Sequence, residues 1–121
     1  MTILKDDMPN RNQLWMFIAK FAGHNHVKFR RHKDGLWAIK ILGQGSKGPI
    51  KDIYQVPNYL ESLDAWLRDV WPKIKPNQDL VDSWVYEVYF SPLNPQHDTH
   101  LNASAYVRCL ALYDALEGVL L

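Results

Sequence analysis

SWVYEVYF, residues 83–90, is the stretch whose reading decides the fold. Trp84, Tyr86, Val88 and Phe90 alternate with Val85, Glu87 and Tyr89. Aromatic and β-branched residues at period two suit a pleated, half-buried surface, so the pattern predicts a β-strand, the third of the chain. KIKPNQD before it (73–79) reads as a connecting loop, and SPLNPQHDTHLN after it (91–102) as a polar loop with two prolines.

Beyond the second loop, ASAYVRCLALYDALEGVL (103–120) is apolar almost all round, interrupted by Arg108, Asp114 and Glu117. That predicts a deeply buried last helix, with Asn102 placed to cap it. On the N-terminal side, Leu60, Leu63, Leu67, Val70 and Trp71 share a helical face. Asn58 and Glu61 have capping-box spacing, with Ser62 as a rival cap, and Pro72 ends or kinks the helix after Trp71.

Further upstream, VKFRRHKDGLWAIKIL (27–42) reads as a β-hairpin. Asp34-Gly35 is a strong turn signal because both residues tolerate positive φ. Trp37, Ile39 and Ile41 then alternate with Ala38 and Lys40. The first helix is predicted after Asn10 or Asn12, with Leu14, Phe17, Ile18 and Phe21 as its stripe and Gly23 as its C-terminal glycine. Residues 1–11 read as a flexible arm before a single domain over 12–121.

The element order is thus α-β-β-α-β-α. It predicts an α+β fold with a small antiparallel sheet packed by three helices. The sheet has three strands, or four with a short extended piece at 53–56. The expected core is Phe17, Ile18, Phe21, Trp37, Ile39, Leu63, Trp66, Leu67, Trp84, Tyr86, Val88, Leu110 and Leu112.

Composition narrows the function. The 121 residues are 47% hydrophobic and 22% charged, with net charge +1. A real core forms, and any electrostatic footprint is local. One cysteine, Cys109, forms no intrachain disulfide, in keeping with a reducing compartment. No apolar run has signal-peptide or membrane-span length, so the expectation is a cytoplasmic protein that does not engage a membrane.

Residues 43–48, GQGSKG, fit G-x-G-x-x-G. A dinucleotide fingerprint needs a parallel βαβ unit with a helix opening inside the glycines. Here the preceding strand belongs to a hairpin, and Pro49 and a non-amphipathic segment follow. The stretch therefore reads as a flexible loop, and no cofactor is expected.

His24 and His26, with His97, Asp98 and His100, supply metal-ligand chemistry, but no pair has the i, i+4 spacing of a helical zinc motif. A metal-dependent enzyme is accordingly the third functional reading, and no catalytic or metal residue is assigned. Cys109, inside the most apolar helix, reads as inert packing. Asp64 and Asp69 read as a solvated helix face, with Arg68 pairing Asp64.

Lys28, Arg30, Arg31, His32 and Lys33 form a local basic stretch. In a strand, Lys28, Arg30 and His32 share one side, which Lys40, Glu87 and Tyr89 join from neighbouring strands. Cations and an aromatic on one sheet face track a phosphate backbone and stack bases. A nucleic-acid-binding module over 27–41, using Lys28, Arg30, Arg31, Lys33 and Lys40, is the second reading.

WAIKI in the second strand, VPNYLESLDAWL around the second helix and ASAYVRCLALYDALEG at the end give a pattern that resembles the phage ABA sandwich domain family. Tyr59, Ala65 and Trp66 match its tyrosine near the helix start and its apolar-Trp pair. Ala105, Arg108, Cys109, Leu110, Ala111 and Leu112 approximate its closing helix motif. Leu60 stands where the family has Ser or Thr. The resemblance implies a helix–sheet–helix sandwich, a phage or mobile-element setting and no established enzymatic activity. The leading reading is a non-enzymatic interaction protein that binds a protein partner or itself, with Trp15, Tyr54, Tyr59 and Trp71 as an apolar anchor patch.

Overall fold

The computed structural model describes residues 10–30, 34–97 and 99–120. Its fold is α+β, with a three-stranded antiparallel sheet in the order β1-β2-β3 packed with helices. The element order departs from expectation in its second half. Helix α1 (Arg11–Ala22), β1 (Lys28–Phe29), β2 (Leu36–Gly45) and β3 (Gly48–Gln55) are followed only by helices: α2 (Leu63–Asp69), α3 (Trp71–Ile74), α4 (Gln78–Tyr89) and α5 (Ala105–Leu120). A 3-10 turn, His100–Asn102, precedes α5. The order α-β-β-α-β-α is thus replaced by one sheet motif inside a helical assembly. The expected flexible arm lies outside the described residues up to residue 9.

The stretch 83–90 is not a strand. It belongs to α4, which Asn77 starts by accepting the Leu80 amide on its side chain. Leu80, Trp84 and Val88 recur every four residues and are the buried stripe. Tyr86 and Phe90, which a strand would have placed beside Trp84, are exposed. Both periods fit the sequence, and the cap at Asn77, inside the supposed loop, lengthens the segment to a helix's 12 residues.

The missing third strand comes from the glycine stretch and its sequel. Gly45 pairs with Gly48 across a tight turn, and β3 then runs antiparallel to β2 with Ile39 opposite Ile53 and Lys40 opposite Asp52. Gly48 takes φ +120°, a conformation L side chains rarely adopt. Residues 43–55 are therefore a hairpin and not the expected loop, and the short extended piece expected at 53–56 is the end of β3, which stops at Gln55. The G-x-G-x-x-G match is a hairpin tip that opens no helix, so it lacks the phosphate cradle of a dinucleotide site.

The first hairpin is present, with Lys28 opposite Trp37, but its strand phase is inverted. Leu36 and Ala38 are buried, whereas Trp37 and Ile39 are half-buried and Ile41 is exposed. Only the base of the sheet packs on the helices, and there the small Ala38 and Leu36 fit against the interior. Beyond Lys40 the β2–β3 hairpin leaves the core and projects as an arm. There Ile41, Leu42 and Ile50 are 51%, 59% and 51% exposed, and Ile53, opposite Ile39 at the root of the arm, is 49% exposed.

Helix α1 follows its signals. Asn10 and Gln13 form a reciprocal capping box, and Gly23 closes the helix in the left-handed region. Helix α2 is capped by Ser62, not Asn58, and buries Ala65 and Trp66 while Leu63 and Leu67 stay exposed. Ser104, not Asn102, receives the Val107 amide at the start of α5.

The centre of the core is aromatic. Trp66 stacks on Trp84 at 5.3 Å and on Trp71 at 6.2 Å. Arg108, expected to interrupt an apolar helix, is itself buried against both Trp66 and Trp84. Its guanidinium donates to the carbonyls of Ala103 and Leu101, and its own carbonyl accepts the Trp84 indole N–H.

Candidate functional site

A cleft of about 680 Å³ opens where the end of α1 meets the inner side of the hairpin and the junction of α2 and α3. His24 stands at its wall because Gly23 ends α1 and turns the chain towards the sheet. One ring nitrogen, Nδ1, lies 2.7 Å from the Tyr54 hydroxyl; the other, Nε2, lies 2.7 Å from the Tyr59 hydroxyl. Tyr59 donates to Asp69 Oδ2 at 2.7 Å, and Arg68 grips the same carboxylate through Nε and a terminal nitrogen at 2.9 and 3.0 Å.

Counting protons orients this chain. The Tyr59 proton is committed to Asp69, so the Tyr59 oxygen accepts from His24 Nε2–H. Burial lowers the pKa of His24, against the opposing pull of Asp69, and the neutral ring has one donor only. Nδ1 therefore accepts from the Tyr54 hydroxyl. Hydrogen bonds run one way, from Tyr54 through His24 and Tyr59 to Asp69. The Arg68 bonds hold the Asp69 carboxyl below its usual range. Burial raises both phenols, and the hydrogen bond to Asp69 raises Tyr59 further.

Among the described residues the cleft is lined by Lys40, Arg68 and Lys73 against one carboxylate, Asp69, already occupied by Arg68 and Tyr59. Neither Lys40 nor Lys73 belongs to an ion pair among the described residues. Lys73 Nζ lies 4.0 Å from where a Cβ on Gly23 would stand, over the C-terminal end of α1, where the helix dipole favours a cation.

Other expected site residues are dispersed. Lys28 lies on the outer sheet face with Trp37, whereas Lys40 shares the opposite face with Ala38 and Tyr54. Glu87 and Tyr89 are on α4, so the single basic face across three strands does not form. Arg30 lies over the Trp37 ring at 5.7 Å, while Arg31, His32 and Lys33 lie outside the described residues.

The supposed anchor patch turns inward. Tyr59 is fully buried, Trp15 donates its indole N–H to the Pro57 carbonyl, Trp71 packs against Trp66 and Trp84, and Tyr54 serves His24. The histidines also separate: His97 stacks on Tyr89 and contacts its carbonyl, and His100 meets the edge of Trp84. Among the described residues no three His, Cys, Asp or Glu side chains converge as metal ligands. Asp69 pairs with Arg68 in place of Asp64, and Cys109 is buried, with its thiol pushed up by burial and donating to the Tyr59 carbonyl. No helix among the described residues is long and apolar enough to cross a membrane.

Sequence reasoning missed the link between His24, Tyr59 and Asp69. The partners lie 35 and 10 positions apart, and no motif spacing signals them. Compared with known protein families, with curated proteins and with solved structures, the chain matches none.

Proposed function

We propose that this protein is a non-enzymatic interaction module that engages a partner protein through its β2–β3 arm, in the accessory phage role that the family resemblance implies. The observation that carries this reading is the half exposure of Ile41, Leu42, Ile50 and Ile53 beyond the core. Isoleucine and leucine on a projecting hairpin give apolar area to a partner. The open edge of β3 carries Pro49, Lys51 and Asp52, which oppose pairing with another strand, so contact is made by the faces of the arm. The chemistry of the cleft supports a binding role. Both phenols are held protonated, and both ring nitrogens of His24 are engaged.

A photo-crosslinking amino acid at Leu42 or Ile50 tests this in host lysate. A discrete adduct with one protein, lost in Leu42→Lys/Ile50→Lys, supports the reading; an adduct of twice the chain mass identifies the partner as a second copy. Absence of any discrete adduct, with a monomer by light scattering, overturns it.

Arg30 over Trp37, beside Lys28, favours a second reading as a nucleic-acid binder on the outer sheet face. Fluorescence anisotropy with labelled DNA and RNA tests it. Binding must weaken steeply with salt and be lost in Arg30→Ala.

A further inference from the structure

We propose that the His24 cleft is a binding site for a small oxyanion of the phosphate or sulfate type, and that the anion is captured together with a proton on His24. This site adjoins the root of the arm and shares Ile41 with it, but its ligand groups are Lys40, Tyr54 and Lys73.

The charge distribution points to an anion. In a chain of net charge +1, Lys40, Arg68 and Lys73 line one concavity whose one lining carboxylate among the described residues, Asp69, is consumed internally, while Asp52 stands opposite Lys40 on the neighbouring strand without an ion pair to it. Lys40 and Lys73 come from different elements, β2 and α3, and both line the cleft without an ion-pair partner among the described residues. Cations brought together in this way repel one another unless an anion sits between them. The cleft, at about 680 Å³, has room for a tetrahedral oxyanion or for a larger molecule that carries one, and Arg68, fixed by Asp69, adds a guanidinium to its lining.

The hydrogen-bond chain supplies the proton coupling. With His24 neutral, the Tyr54 proton is directed at Nδ1 and is withheld from the cleft. When His24 takes up a proton, Nδ1–H donates to the Tyr54 oxygen, and the Tyr54 hydroxyl is free to donate to a ligand. Nε2–H still donates to Tyr59, and Tyr59 still donates to Asp69, so nothing else in the chain has to move. The charged groups facing the ring are Asp69 and Arg68 from α2, with Tyr54 from β3 and Tyr59 from the segment before α2, and Asp52 of β3 acts on Tyr54 in turn. Lys40, Lys73 and His26 share the cleft. The anion offsets the charge that arrives on the imidazole, and the imidazolium in turn favours the anion.

Two-dimensional NMR of the whole chain, titrated with sulfate at constant ionic strength and with chloride as control, tests the site. Sulfate keeps its charge between pH 5.5 and 8, so any pH dependence belongs to the protein. The expected result is saturable shifts at Gly23, Lys40, Tyr54 and Lys73 amides. Binding should be about tenfold weaker in Lys40→Ala and in Lys73→Ala, the usual scale of one lost charge-assisted bond. Sulfate should also raise the midpoint of the His24 ring titration, and affinity should rise as pH falls. In Tyr54→Phe, which keeps the ring, binding should weaken and lose most of its pH dependence. Dispersed spectra of each variant control for folding. No saturable shift up to roughly 50 mM sulfate, or equal binding by the double Lys40→Ala/Lys73→Ala variant, overturns the site. Binding without any movement of the His24 midpoint overturns the proton coupling. Inorganic phosphate and phenyl phosphate separate the sources. Equal affinity identifies a free anion, and preference for the ester identifies a phosphorylated group on a larger molecule.

Discussion

Arg108 is the residue whose environment is least expected from its type. It is buried without a carboxylate, held by two carbonyl oxygens and two indole faces, and burial lowers its pKa. Its bonds tie the 3-10 turn to α5. Arg108→Ala should cost about 3 kcal/mol in urea unfolding through the lost charge-assisted bonds and ring contacts. Arg108→Lys should recover little, since an ammonium lacks the planar fork that reaches both carbonyls. Asp114 gives a pH prediction. Burial, then Glu87 and Glu117, push its carboxyl up to about 6. A carboxyl raised on folding is most favourable while protonated, so its contribution is complete below its unfolded value and is lost as pH rises through about 6. Asp114→Asn should therefore stabilise the protein above pH 6, by about 1 kcal/mol after solvent screening, with little effect at pH 4. His24 and Asp69 work in the other direction. Both have folded pKa values below the unfolded ones, so their contributions fade as the solution is acidified.

At the scale of elements, caps decide where helices begin. Asn77→Ala should destabilise α4 by about 1 kcal/mol, read as a shift in the urea midpoint. Gly23→Ala should cost about 1–2 kcal/mol, because φ +108° is strained for any side chain and the turn that delivers His24 depends on it. These elements also show what was legible. Helix α1 could be read because a reciprocal cap, an apolar stripe and a terminal glycine agreed. The 27–42 hairpin could be read from its turn and alternation, but not which face was inward. That choice depends on which side meets the helices, and Ala38 is too small to announce itself as core. SWVYEVYF carried two periods at once, and the arbiter was Asn77, outside the stretch. The glycine-rich tip was hidden by its likeness to a loop. The cleft was not legible at all, because Asp69 looked like one more carboxylate on a solvated helix.

At the scale of the molecule, the fold divides into a packed helical body with the base of the sheet and an arm that the body does not need. Replacing residues 42–50 by Asn-Gly, so that Ile41 and Lys51 close a two-residue turn, should move Tm by less than about 3 °C. The same deletion should abolish partner capture, which separates stability from function. The body itself has an optical property. Trp66, Trp71 and Trp84 lie within 6.2 Å of one another, ring centre to ring centre, close enough for their excited states to couple. Light absorbed by one indole is shared by all three, beside the Arg108 cation. The folded chain should therefore show a coupled circular-dichroism signal near 225 nm, roughly the indole band, that collapses when the stack opens. Packing chosen for shape thus leaves the protein with a built-in gauge of its own core, readable without any label.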